Sequence, residues 1–468
     1  MNVTPNSGFE EFVRRKVEAG DPQSAAEVVS EGLPRLQQPD KPWAIEARSM
    51  TADVTRRDWL AGVAATVVWG GLAWPATADA AKPVKPKSVA AVLTAYEKGL
   101  HADVLIGKIL EGWKQDGGAG PALKLASMYV DQFTDKDLAR TMAKKYDVPL
   151  FNTIERAVTV GGDRIPVDGV ISIGEHGSYP SNDKGQVLHP RRRFFEAITD
   201  TFKKYGRVVP VFNDKHLGPV WSDAKWMYDR AREMQVPFMA GSSMTVGARE
   251  PEISVPLGCE IETAVGIGYS GLDIYGSHAL EFFQCHVERR RGAETGVNWV
   301  QCLQGDAIWE PLDQGMISKD AFHAALALVS SQPNGVRQSD DATLFLFHYN
   351  DGLLGAVFML PGFARGTSVA LKLNGRKEIL ATRFEERTEP RHPHFAYLLK
   401  GIERMIHMGR SSYPVERTLL SSGILDRALT SRFLKYEKLM TPELGIRYQP
   451  VDYPHAPQPS LDSDPSQA

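Results

Sequence analysis

Between residues 88 and 240, short apolar runs rich in β-branched residues alternate with segments of helical periodicity. SVAAVLTAY, LKLASMYVDQF, VPLF, VDGVISIG, RVVPVFNDK and VPFMAGSS read as strands. Helices are expected between them: from His101 to Trp113, from Asp135 to Tyr146, a turn in NTIERAVT, from Arg191 to Tyr205 and from Ser222 to Met234. Few folds remain open to such a chain. A strand followed by a crossover helix returns parallel to its predecessor, and both sheet faces end up covered by helices. The pattern therefore predicts a doubly wound, mainly parallel sheet. Ligands of such sheets bind beyond the C-terminal strand ends.

After residue 240 the pattern loosens. GCEIETAVGIGY, GVNWVQCLQG, DATLFLFHYNDGLLGAVFML and TSVALKLNGRKEIL are strand-like, and Asn350-Asp351-Gly352 marks a hairpin. Two helices are expected near the end, from Phe395 to His407 and from Val415 to Thr430. The tail, 450–468, is rich in Pro and Ser and reads as disordered.

The first eighty residues have a different character. Residues 9–36 carry two apolar helical patterns separated by Gly20-Asp21-Pro22, with Ser24 and Glu27 spaced as a capping box. The 1–40 segment resembles ribbon-helix-helix antitoxins of ParD type. The resemblance implies dimerisation and DNA binding through residues 1–36; the alternative is a relic of a neighbouring reading frame or a mis-assigned start. From Met50, residues 50–80 resemble a twin-arginine signal: Arg56-Arg57, an uncharged stretch from Leu60 to Ala78, then small-residue cleavage sites. The apolar core of that stretch is too short for stable membrane anchoring. The resemblance implies export through the twin-arginine machinery to the periplasm. The mature chain would begin near residue 79 or 81, and a true start at Met50 fits best.

Charge and cysteine content narrow the classes further. Among the 468 residues there are 54 Lys plus Arg and 57 Asp plus Glu, a net charge of −3. That balance argues against a chain-wide nucleic-acid binder. Three cysteines, Cys259, Cys285 and Cys302, cannot build a disulfide framework.

The order of elements over roughly residues 88–440 resembles the Gfo/Idh/MocA oxidoreductases. Four stretches carry the resemblance: ASMYVD with LARTMAKKYDVPLFNTIE, VFNDKHL at the place of the family's Glu-Lys-Pro strand end, LDIYGSHALEFF at its D-x-G-x-H helix start, and the hairpin DATLFLFHYNDGLLGAVFMLPGF with SVALKLNGRKEIL. The resemblance implies a Rossmann-like domain (88–240) and a C-terminal α/β domain (241–445) with a large, open, mainly antiparallel sheet. It implies hydride transfer between NAD or NADP and a sugar or polyol, and a homo-oligomer. The alternatives are a non-catalytic binding protein on the same fold and an antitoxin-like regulator.

The same resemblance names the candidate site. Lys215 takes the family's lysine position and would assist proton transfer. His278 would take a hydroxyl proton, a role suited to a side chain that titrates near neutrality. Asp273 would orient His278 or act as a helix N-cap. Glu175-His176-Gly177 follows a strand and would lie beside the cofactor, and Asp131 would meet a ribose hydroxyl. The family's G-x-G-x-x-G is absent: TAYEKGLHADVLIGKILEG keeps only Gly99 and Gly107 of such a loop. His101 and Asp103 open the next helix and would receive an anion in its place, unless Asp103 is an ordinary cap. Arg191-Arg192-Arg193 reads as a solvated or intersubunit charge cluster, with phosphate binding as the alternative. No H-E-x-x-H or C-x-x-C spacing occurs, and no metal site is expected.

Overall fold

The computed structural model describes residues 85–330, 333–339 and 341–456. The antitoxin-like and signal-like segments lie outside the described residues. No helix among the described residues is long and apolar enough to cross a membrane.

The first sheet is built as the alternation requires. Its strands are β1 (Lys87–Leu93), β2 (Leu123–Val130), β3 (Leu150–Phe151), β4 (Gly169–Ile173), β5 (Val211–Asp214) and β6 (Phe238–Gly241). They run in the order β3-β2-β1-β4-β5-β6, and every pairing is parallel. This is a doubly wound sheet with its topological switch between β1 and β4. The crossovers carry α1 (His101–Glu111), α2 (Ala139–Lys145), α3 (Ile154–Val158), α4 (Arg191–Tyr205) and α5 (Trp221–Glu233). Continuous apolar strands such as VAAVL in β1 are buried throughout, because both faces are covered.

The second sheet has β7 (Arg249–Glu250), β8 (Ile261–Gly268), β9 (Val297–Gln304), β10 (Thr343–Tyr349), β11 (Leu354–Met359), β12 (Ser368–Leu373), β13 (Ile379–Phe384) and β14 (Leu439–Met440). Their order is β14-β9-β10-β11-β8-β12-β13-β7. All pairs are antiparallel except β11 with β8. One face packs on α6 (Ile274–Val287), and the other on α7 (Glu310–Asp313) and α8 (Lys319–Ala327).

The chain then returns to the first sheet. In α9 (His394–Met408), Phe395, Leu398, Leu399, Ile402, Met405 and Ile406 join the core formed by β1, α1 and β2. The last long helix, α10 (Glu416–Phe433), packs on α6. The start of the tail also packs: the Ala456 N–H donates to the Val246 carbonyl at 2.8 Å, and Ala456 is buried. Residues 457–468 lie outside the described set.

Candidate active site

The strand ends meet a polar cavity of about 390 Å³. Gly99, Leu100 and His101 line it from the start of α1, Glu175 and His176 from beyond β4, and Lys215 from beyond β5. The far wall carries Tyr275 and His278 of α6, with Arg365 from the connection between β11 and β12 and Arg383 of β13. Its position at the C-terminal strand ends, beside the switch between β1 and β4, is where a doubly wound sheet opens a crevice.

The floor is a buried ion cluster. Lys215 Nζ donates to Glu175 Oε1 at 2.9 Å, and Arg191 donates to the other carboxylate oxygen. All three side chains are at most 4% exposed. Burial would push the Glu175 carboxyl up, but Lys215 and Arg191 together hold it well below the usual carboxylate range. Arg191 Nη1 also lies 3.1 Å from His216 Nε2. Since arginine only donates, that nitrogen must carry the lone pair. Burial, and next Arg191, push His216 well down, so its ring stays neutral.

The backbone is unusual where these side chains leave it. His176 and Lys215 have φ of 70° and 60°. Residues other than glycine rarely occupy this region, and the surrounding structure must hold them there at a cost of order 1–3 kcal/mol each. Both flank the carboxylate cluster.

His278 stands on the opposite wall. Its Nδ1 is 3.2 Å from Ser242 Oγ, and the Ser242 hydroxyl donates to Glu281 Oε2 at 2.6 Å. The serine hydrogen is spent on Glu281, so His278 Nδ1–H donates to Ser242. Burial first, then Lys215 and His101, push His278 well below the ordinary histidine value. Burial and then His101 likewise push His176 down to about 4.

The structure brings together Lys215, His278, His101, Glu175 and His176 and places four other candidates elsewhere. Asp273 does not orient His278; its Oδ2 accepts the Val187 N–H at 3.0 Å. Asp131 does not face the cavity: its oxygens accept from the hydroxyls of Tyr129 (2.6 Å) and Tyr179 (2.7 Å) and from Arg193 (2.6 Å). Gly177 turns the chain away with φ of 90°, beside Gln132 and Tyr179. Asp103 turns back onto the preceding loop, taking the Gly99 N–H at 2.8 Å, and is not an N-cap of α1.

Arg191 corrects a sequence expectation, since it is fully buried rather than solvated. It shares a helix face with Phe194 and Phe195, three and four residues on, and that spacing was the available signal. Ser242 and Glu281 were missed as partners of His278, because they come from the end of β6 and from α6.

No family model matches the chain, and no curated protein matches it. Among solved structures, the chain is similar to GenD2 from gentamicin A biosynthesis in complex with NAD. The identity is 12% over 76% of this chain and 97% of that one, with a TM-score of 0.49. It is also similar to a probable dehydrogenase from Thermotoga maritima, at 12% identity over 76% and 99% of the two chains and a TM-score of 0.48. A third is scyllo-inositol dehydrogenase from Lactobacillus casei with bound cofactor NAD(H) and scyllo-inositol, at 11% identity over 76% and 99% and a TM-score of 0.49. The two strand orders by themselves define the fold.

Proposed function

We propose that the protein is a nicotinamide-dependent oxidoreductase acting on a polyhydroxylated small molecule, a sugar or polyol. One observation carries the proposal: Lys215, His278 and His101 converge on a single cavity at the switch point of a doubly wound sheet.

The residues at that end of the crevice fit a nicotinamide nucleotide. Gly99 has φ of +77° with nothing within 4 Å of where a Cβ would stand, and no side chain caps α1 at Leu100. Asp103 takes the Gly99 N–H and the Glu97 carbonyl takes the Leu100 N–H, so a phosphate would be left the first N–H groups of α1 itself. The adenosine-ribose contact of the family is poorly matched, because Asp131 already accepts from three donors and keeps one of about four acceptor sites, on Oδ1. Gly99, Leu100, His176 and Lys215 would hold the nicotinamide half. That group would supply hydride acceptance from a carbinol carbon. The chain's own residues bind the polyol hydroxyls, exclude water from a mostly buried floor and receive the hydroxyl proton. Lys215 donates a hydrogen bond to the reacting oxygen, and the lone pair on His278 Nε2 faces the cavity.

Ligand binding without redox chemistry is the second reading. The three donors already engaged by Asp131 and the missing glycine triplet favour it. Titration of NADH or NADPH fluorescence separates the two. Enhanced emission that is lost in Lys215→Met supports the first, and no change at any nucleotide concentration supports the second.

We also propose export by the twin-arginine route. Arg56-Arg57, the uncharged stretch from Leu60 to Ala78 and the small-residue sites after it support this from sequence alone. A secreted product beginning at residue 79 or 81 is the expected result, and a cellular product retaining Met1 would contradict it.

A further inference from the structure

We propose that His101, held by Asp214, is a second proton-transfer residue of this cavity. The inference deepens the reading above and rests on the cavity being the substrate site. Nothing in the chain's local pattern marks the pair, which is separated by 113 residues.

His101 Nδ1 lies 2.6 Å from Asp214 Oδ2. The Asp214 side chain is fully buried, whereas that of His101 is 13% exposed. The Asp214 carboxylate can only accept, so Nδ1 carries the hydrogen and Nε2 keeps its lone pair. The ring is fixed edge-on between His176, at 5.2 Å, and Phe395, at 4.8 Å. Among the described residues no protein group bonds Nε2, and the ring lines the cavity. This is the arrangement in which a carboxylate sets an imidazole's tautomer and steadies its cation.

His278 is less suited to hold a proton. A neutral hydroxyl, that of Ser242, stands between it and Glu281, and Lys215 faces it. At His101 the compensating charge is in direct contact. A ligand O–H bond would break with its electron pair left on oxygen, an Nε2–H bond would form from the imidazole lone pair, and the resulting imidazolium would face Asp214. The ligand class is one with a hydroxyl on the reacting carbon.

The test uses ¹⁵N NMR of the full chain labelled at histidine nitrogens, with His101→Gln assigning the signal. The expected result is an Nδ1–H tautomer for His101 that is lost in Asp214→Leu, which offers Nδ1 no acceptor. Diethyl pyrocarbonate should acylate His101 at Nε2 in the parent chain. An Nε2–H tautomer in the parent chain overturns the proposal, as does an Nδ1–H tautomer that Asp214→Leu leaves unaltered. If Asp214→Leu does not fold, the tautomer of the parent chain decides. None of these readouts needs a nucleotide. A parent chain that binds no NADH or NADPH would therefore defeat the redox reading separately.

Discussion

Lys215 Nζ lies 2.9 Å from Glu175 Oε1, and neither side chain is more than 4% exposed. The pair joins the ends of β4 and β5 under the cavity. A buried ion pair adds little net stability against an apolar replacement, but removing one partner strands the other. Here Glu175 answers two cations, Lys215 and Arg191. Glu175→Gln is expected to destabilise the fold by about 3–5 kcal/mol. Denaturant unfolding of the variant against the parent measures this, and a midpoint within error of the parent would contradict it.

Lys215→Met tests the same pair from the other side. Arg191 remains to answer Glu175, so the fold should survive while the cavity loses its donor. Turnover in a nicotinamide-absorbance assay against a polyol panel is expected to fall about 10²–10⁴-fold. Retained turnover would remove Lys215 from the chemistry.

Stability should rise with pH between about 4 and 6.5. Burial and then His101 push His176 down to about 4, and burial and then His392 push His394 down to about 3. Below about 6.5 the unfolded chain binds protons on these rings that the folded chain refuses. The unfolded state then holds more protons, and stability falls as pH falls through the folded values. Glu175 adds the same sign at lower pH. Its contribution is full above the unfolded value of about 4.3 and is lost towards its depressed folded value. Urea midpoints measured from pH 4.5 to 7.5 should climb, and a flat profile would contradict the buried neutral rings.

The first sheet was legible because its signals are local. Apolar runs and helical spacing located β1, β4 and β5, and α4 spans the expected Arg191 to Tyr205. Helix α8 was not read, although Ser318 caps it through the Ala321 N–H. Helix α9 was expected, but its packing against the first core could not be, since that depends on contacts across some 300 residues. The site divides in the same way. Lys215, Glu175 and His176 follow strand ends, and that placement is a topological rule. The Asp214 partner of His101 and the Tyr179 and Arg193 partners of Asp131 are long-range pairings with no periodic trace.

Asp131 therefore separates family resemblance from this chain's own arrangement. Asp131→Ala should lower stability by freeing Tyr129, Tyr179 and Arg193, yet leave nicotinamide nucleotide affinity unchanged. A selective loss of affinity would restore Asp131 as a ribose ligand.

Gly174 tests the packing beneath the cluster. A Cβ there would stand 2.7 Å from Arg191 Cγ, so Gly174→Ala must displace the arginine that holds Glu175. The expected cost is about 1–3 kcal/mol, read from thermal or denaturant unfolding. A neutral outcome would show that Arg191 can move without loss.

The most direct measurement is to purify the chain, denature it and identify any released nucleotide by absorbance and mass spectrometry. Stoichiometric NAD or NADP is expected, held at the start of α1 and beside Lys215 despite the missing glycine triplet. No released nucleotide, together with no binding when NAD(H) or NADP(H) is titrated back, would contradict the oxidoreductase reading and leave a ligand site at the switch point of a doubly wound sheet.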